Sequence, residues 1–268
     1  MRLSALRARL SAAGIEEAAT EARLLFSAYT GLPITALVGC DPECDAPALL
    51  EAARRREGRE PLGYILGEVP FYRATLRVTP ACLIPRSDTE RLVELAIGHL
   101  PRGAHFADLG TGSGAIAVTV LSERPDTTAV AIDISADALA VAVENAARLG
   151  VSDRMTAVCA DMRAPLSHGP FDAILSNPPY IPASVVPTLS PEVGHEPSLA
   201  LDGGQDGLSL YRAILGHREH LKKDGFFLLE CGYDQEEAMA RLADAHGLTF
   251  LPYRDYGHRF RGCRLLPH

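Results

Sequence analysis

The hydrophobic rhythm of the chain changes twice. Over residues 1 to about 60, apolar positions recur at helical spacing, first Leu3, Leu6 and Leu10, then Ala18, Ala22, Leu25, Phe26 and Tyr29. Gly31 and Pro33 interrupt this pattern. Asp45 ahead of Pro47 predicts the cap of a further helix through Leu49, Leu50 and Ala53. Between Pro61 and Pro85 the helical period gives way to Gly, Pro, aromatic and β-branched residues, and the stretches 64–67 and 76–78 predict a hairpin. Ser87, Asp88, Thr89 and Glu90 then have capping-box spacing and open a helix with Leu92, Val93, Ala96 and Leu100 on one face.

After Gly103 a regular alternation sets in. Strand-like runs cover 105–109, 128–133, 155–161, 171–176, 225–231, 248–253 and 260–266, and helical patterns over 115–122, 136–149, 208–221 and 235–245 separate most of them. Repeated βα units imply a mostly parallel sheet covered on both faces. The last two runs are joined only by the turn 255–259, so they pair antiparallel. The reading is an α/β fold with a seven-stranded sheet, five strands parallel and a terminal antiparallel hairpin. A helical domain (1–60) and a connecting hairpin (61–85) precede the α/β domain (86–268).

At 268 residues the chain can bury one sizeable core and a small second domain. Its formal net charge of −8 argues against a protein whose main task is gripping nucleic-acid phosphates. The run Arg54-Arg55-Arg56 reads as a solvated helix end. No apolar stretch reaches the length of a membrane span, and the first residues lack the apolar segment of a secretory signal. The six cysteines are scattered without a CxxC pair, which implies reduced thiols, a cytoplasmic location and no metal site. Cys159 and Cys231 lie in apolar runs and are expected to be buried.

Candidate chemistry gathers at four strand ends. Asp108-Leu109-Gly110-Thr111-Gly112-Ser113-Gly114 sits between the first strand and first helix of the sheet, where glycines permit a tight turn and close approach to a ligand. No Lys follows, so it is not a Walker loop, and the third glycine comes one residue too early for GxGxxG. Asp133 closes the next strand and can accept both hydroxyls of a ribose, or else cap the next helix. Asp161 and Met162 follow the third strand, placed for the edge and face of an adenine. Ser176-Asn177-Pro178-Pro179-Tyr180 follows the fourth. Two prolines stop the strand ladder and stiffen the backbone beyond it. The Asn177 side-chain oxygen and a backbone carbonyl of the Pro-Pro turn can accept the N–H bonds of a planar aminated group, and Tyr180 can lie against its flat face. Ligands of open α/β sheets bind at the carboxyl ends of strands, where all four motifs fall.

These residues carry a resemblance. DLGTGSGAIA, Asp133 and SNPPYI look like the class I S-adenosylmethionine-dependent methyltransferases that modify planar nitrogen. REPLGYILGEVPFY, LIPRSDTERLVE, SNPPYIP, HEPSLALDGGQDGLSLYR and LLECGYDQ together resemble the HemK/PrmC family, the protein-(glutamine-N5) methyltransferases of peptide chain release factors. The resemblance implies S-adenosylmethionine as cofactor, held by Gly110, Thr111, Gly112, Ser113, Gly114, Asp133, Asp161, Met162 and Asn177. It implies that Asn177, Pro178, Pro179 and Tyr180 carry the catalytic work. It further implies a release factor as protein substrate, methylated on the glutamine of its Gly-Gly-Gln motif. A glutamine presented on a protein loop needs a docking surface, which the helical domain can supply. The absence of an apolar seam and the net negative charge lead to the expectation of a monomer that binds neither membrane nor nucleic acid directly. Two departures stand out. The family's IPRPET is here Ile84-Pro85-Arg86-Ser87-Asp88-Thr89, which implies a changed helix start, and Arg73 stands where the family usually has Gly, in the predicted hairpin. Two other readings remain: an adenine-N6 methyltransferase of nucleic acid, which shares the Asn-Pro-Pro-aromatic motif, and a cofactor-binding scaffold without turnover.

Overall fold

The computed structural model describes residues 1–268, and contacts within it divide the chain into two units. The first comprises Met1–Glu68 together with Ser190–His195. It holds four helices: α1 (Leu3–Ala12), α2 (Ala18–Thr30), α3 (Pro47–Glu57) and α4 (Leu62–Leu66). Leu6, Leu10, Leu25, Phe26 and Leu49 are fully buried together, as their helical spacing implies. Pro47 occupies the first turn of α3, but Ala46 holds the cap position and Asp45 makes no capping bond.

Two expectations for this unit are corrected. Residues 64–67 are not strand. Pro61 opens α4 and Gly67 closes it in the left-handed conformation, with Gly63, Tyr64 and Ile65 buried. Nor is the arginine run solvated throughout. Arg56 is buried, its Nε 2.5 Å from Glu21 and its Nη1 3.2 Å from Glu192 of the 190–195 segment. Arg55 pairs with Glu60 and Arg59 with Glu192.

The chain passes from the first unit to the second within a two-stranded hairpin, β1 (Glu68–Phe71) and β2 (Ala74–Arg77). Its turn puts the positive φ on Tyr72 (54°), so Arg73 needs no glycine-like backbone and instead reaches Glu123 at 3.0 Å. Next comes α5 (Ser87–His99). Ser87 is its first helical residue rather than its cap, and Arg86 holds the cap position without a side-chain bond. The Glu90 carboxylate, expected to close a capping box, accepts the Tyr72 backbone N–H at 2.9 Å and fastens the hairpin to the helix.

The second unit is the α/β sheet. Its strands are β3 (His105–Leu109), β4 (Thr128–Asp133), β5 (Met155–Cys159), β6 (Phe171–Ser176), β7 (Leu221–Glu230), β8 (Leu248–Arg254) and β9 (Phe260–Pro267). The spatial order is β5-β4-β3-β6-β7-β9-β8. The first five are parallel; β9 runs antiparallel between β7 and β8. The helices α6 (Ala115–Glu123), α7 (Ala136–Arg148), α8 (Ser209–Leu215) and α9 (Glu236–Ala245) complete the layers. Because side chains alternate along a strand, Phe106, Ala131, Leu175 and Leu228 pack on one face with α5 and α6. Leu109, Ile132, Ile174 and Phe227 pack on the other with α8 and α9.

The cysteine expectation holds for Cys231, which is buried, and fails for Cys159, which is exposed. The reason is position: β5 is the edge strand, and none of its side chains is fully buried. No helix is long and apolar enough to cross a membrane.

Candidate active site

The strand order reverses beside β3, whose neighbours are β4 and β6, and a crevice opens there at the carboxyl ends. It holds a cavity of about 230 Å³ lined by residues from four strand ends: Gly110, Thr111, Gly112 and Ser113 after β3, Asp133 ending β4, Asp161 and Met162 after β5, and Asn177 and Pro179 after β6.

The glycine turn is shaped by three left-handed residues, Gly110 (φ 72°), Gly112 (56°) and Gly114 (82°). Each is glycine for its own reason. A Cβ on Gly110 would lie 2.7 Å from Met162 Cε, so the methionine side chain packs over the turn. A Cβ on Gly114 would meet Ala142 Cβ at 3.0 Å, where α6 and α7 come together; Gly114 itself does not line the cavity. Over Gly112 there is open space, which leaves its backbone approachable. Beneath the turn, Asp108 is fully buried. Its Oδ2 accepts from Thr111 Oγ1 at 2.7 Å and from the Ala117 N–H at 3.1 Å, while Oδ1 has no partner. Burial above all pushes this carboxyl up to about 7.

Asp133 does not cap α7; Ser135 does, accepting the Ala138 N–H at 3.1 Å. The Asp133 carboxylate instead accepts from the Gly112 N–H (2.8 Å) and the Ser135 N–H (2.9 Å), and each oxygen keeps a lone pair for a ligand hydroxyl. Asp161 also lines the cavity, but Arg163 holds its carboxylate through Nε (2.9 Å) and Nη2 (2.6 Å), chiefly by which its pKa is lowered. The Met162 carbonyl lies 2.7 Å from His217 Nε2, an anchor for the loop that presents its side chain.

At the β6 end, Ser176 Oγ donates to the Leu109 carbonyl at 2.5 Å and locks this strand end to that of β3. Asn177 Nδ2 donates to Thr89 Oγ1 on α5 at 3.2 Å, so the nitrogen end of the amide is engaged within the protein. Pro178 is buried, and neither it nor Tyr180 lines the cavity. The Tyr180 phenol is driven up to about 12, mainly by burial and then by the nearby Glu230 charge. Beyond it the backbone is zipped to a later loop: the Ile181 N–H donates to Leu201 O (3.0 Å), Gly203 N–H to Ile181 O (2.8 Å) and Ala183 N–H to Gly204 O (2.9 Å). Gly203 and Gly207 lie against the Pro179–Tyr180 backbone so closely that an added Cβ would come within 2.7 Å of Tyr180 Cα and 2.4 Å of Tyr180 O respectively. Gln235 Nε2 bridges the Tyr180 and Gly207 carbonyls.

The remaining wall comes from residues the sequence reading did not assign. Cys82, Pro85, Arg86 and Thr89 line one side, and Pro197, Leu199 and Asp202 another. Glu196 joins the two walls, accepting from the Ile84 N–H at 3.1 Å and pairing with Arg86. Glu230 was missed as well. It ends the apolar run of β7 with a carboxylate, the same signal that singled out Asp133 at the end of β4.

A doubly wound sheet whose cavity offers an approachable glycine turn, an acid on the next strand and, below, a buried carboxyl that ties the turn to the following helix is that of a class I methyltransferase that uses S-adenosylmethionine. The cavity residues fit that cofactor: open space over Gly112 suits close approach of its chain, and Asp133 retains acceptors for a ribose diol. Comparison with known proteins narrows the class. The Methyltransferase small domain model matches residues 90–189, and the PrmC N-terminal domain model residues 3–67. The Release factor glutamine methyltransferase of Cereibacter sphaeroides is 45% identical over 273 residues, covering 97% of this chain and 97% of that one. That of Caulobacter vibrioides is 41% identical over 255 residues, covering 92% and 88%. Among solved structures, a ribosomal protein L11 methylase from Lactobacillus delbrueckii subsp. bulgaricus shares the fold, with a TM-score of 0.53 and 22% identity over 72% of this chain and 86% of that one. The chain belongs to the release factor glutamine methyltransferase family.

Proposed function

We propose that this chain transfers a methyl group from S-adenosylmethionine to the side-chain amide nitrogen (N5) of the glutamine in the Gly-Gly-Gln motif of peptide chain release factors. The observation that carries this reading is the meeting of Gly110–Ser113, Asp133 and Asn177 around one crevice, with the Asn177 nitrogen committed to Thr89 and its Oδ1 left for a ligand.

The cofactor, when bound, supplies a methyl group activated on a sulfonium. The chain must then present an amide nitrogen that is a poor nucleophile, because its lone pair is delocalised into the carbonyl. Asn177 Oδ1 and the Pro178 carbonyl accept its two N–H bonds, which aims the lone pair and favours pyramidalisation. Acceptors placed there gain strength as positive charge grows on nitrogen, and positioning can supply several kcal/mol. Pro179 walls the slot, and Tyr180, packed behind the cavity lining, helps hold that wall in place. No strong general base is needed, since the amide proton becomes acidic as the nitrogen is alkylated and passes to solvent as the product leaves. Gly110, Thr111, Gly112, Ser113 and Gly114 form the cofactor turn, Asp133 takes the ribose hydroxyls, and Asp161 with Met162 borders the adenine, Met162 supplying an apolar face. The helical unit of residues 1–60 docks the release factor, and the enzyme works as a monomer in the cytoplasm, where that substrate acts.

A methyl-transfer assay with labelled S-adenosylmethionine tests this, offering release factor with its Gly-Gly-Gln glutamine intact or replaced, and duplex DNA in parallel. Label on the intact factor alone is expected. Label on DNA would establish the adenine reading instead, and label on neither would leave a cofactor-binding scaffold.

A further inference from the structure

We propose that Glu230 is a positioning residue that fixes which end of the Asn177 carboxamide faces the substrate. The inference rests on the reading of Asn177 as acceptor for the target amide. Glu230 ends β7 beside the end of β6, is 1% exposed, and its Oε2 has no hydrogen-bond partner. Thr89 and Asn177 face its carboxyl as hydrogen-bonding groups, with Asp88 and Arg261 acting on it through their charges. Tyr180 and Tyr253 sense its charge in turn, and the Tyr211 hydroxyl donates to its backbone carbonyl at 2.8 Å. It is not simply the counterion of Arg261, whose Nη2 is already 3.0 Å from Asp88 and 3.1 Å from Asp255.

An ionised carboxylate only accepts hydrogen bonds. Groups facing it must therefore turn N–H or O–H toward it, which directs the –NH2 of Asn177 inward and its Oδ1 outward. The Nδ2 bond to Thr89 has that polarity. A protonated Glu230 can donate, and it then tolerates the amide rotated by half a turn, with –NH2 facing a substrate –NH2 that needs an acceptor. Burial, foremost, pushes the Glu230 carboxyl up to about 7, against the pull of Thr89, Arg261 and Asn177. The orientation of Asn177 is thus set by a proton whose occupancy changes near neutrality. Glu230 does not line the cavity, so it acts through Asn177.

The test reads kcat against pH on release factor, and the Asn177 side-chain amide resonances in the free enzyme, assigned by their loss in Asn177→Ala. Wild type is expected to lose rate as pH falls through about 7, with the amide resonances titrating in parallel. In Glu230→Gln, whose amide both donates and accepts, kcat should fall at least tenfold, the acid limb and the amide titration should vanish, and the cofactor Kd should stay within twofold. Thr89→Val, which keeps the shape and removes the hydroxyl, should also lower kcat without weakening cofactor binding, and it serves if Glu230→Gln does not fold. An acid limb or an amide titration that persists in Glu230→Gln overturns the proposal, as does an Asn177 amide indifferent to pH in wild type. A wild type that labels no release factor refutes the proposed function instead, and the amide titration still decides the role of Glu230.

Discussion

The Gly112 backbone N–H donates to Asp133 Oδ2 at 2.8 Å, so the glycine turn after β3 is fastened to the acid that ends β4. The residue expected to hold a ribose therefore also holds the turn expected to receive the rest of the cofactor. Asp133→Ala removes both functions, and a charged hydrogen bond is worth about 1.5–3 kcal/mol. Calorimetry should show S-adenosylmethionine affinity falling by about tenfold or more. Unchanged affinity would reduce Asp133 to a structural tie.

Asn177→Ala should separate chemistry from binding. Its Oδ1 is assigned to an interaction that strengthens in the transition state, so kcat should drop by about 100-fold, in the range of a lost oxyanion-type contact. Cofactor binding should be weakened far less than turnover is slowed. Equal losses in both would undo the division of roles between the glycine turn and the two-proline motif.

Gly203→Ala probes the zipper behind the motif. The added Cβ would lie 2.7 Å from Tyr180 Cα and 2.8 Å from Pro179 O, both backbone atoms that cannot swing aside. The expected result is at least a tenfold loss of kcat with cofactor binding retained, measured side by side with wild type. Full activity would show that the Pro179–Tyr180 backbone tolerates displacement.

Arg56→Ala should destabilise the helical unit. The guanidinium is buried between Glu21 and Glu192, and removing one partner of a buried pair costs about 3–5 kcal/mol. Urea denaturation should register a lower midpoint, and a loss below about 1 kcal/mol would place Arg56 with ordinary surface pairs.

Asp108 makes stability depend on pH in a direction unusual for a carboxylate. Its pKa rises on folding, from 3.8 to about 7, so the folded chain holds a proton that the unfolded chain releases. Stability then declines as pH climbs between those two values and stays lower above them. Asp108→Asn should raise the melting temperature by several degrees at about pH 8 and leave it nearly unchanged at about pH 4. A melting temperature unaltered at the higher pH would mean that Asp108 is ionised at little cost.

Most of the sheet was legible because buried parallel strands read as apolar runs and their helices as amphipathic ones. The strand-end motifs were legible for the same reason: each polar residue stands out where an apolar run stops. Where sequence reading failed, tertiary contacts overrode local signals. Ser87 has the residue type and spacing of a cap, but Glu90 is drawn away to the Tyr72 N–H. Tyr64 and Ile65 have strand propensity, yet Pro61 and Gly67 bracket a helical turn that buries them in the first unit. Cys159 lies in a strand, but a strand's place in the sheet is not written in its own residues. The walls carrying Thr89 and Pro197 are far from the motifs in the chain and join only through partners such as Glu196.

The placement of β9 bears on how the enzyme is made. This strand slots between β7 and β8, both of which precede it in the chain, and it brings Gly262 opposite Glu230 and Arg261 to Asp88. While the chain is being translated, β7 emerges with one edge unpaired, and an open edge invites pairing with the wrong strand. Until β9 arrives, the cover over Glu230 is missing and the core on that face lacks Phe260, Cys263 and Leu265. Methyl transfer is therefore expected to switch on late, when one strand threads home.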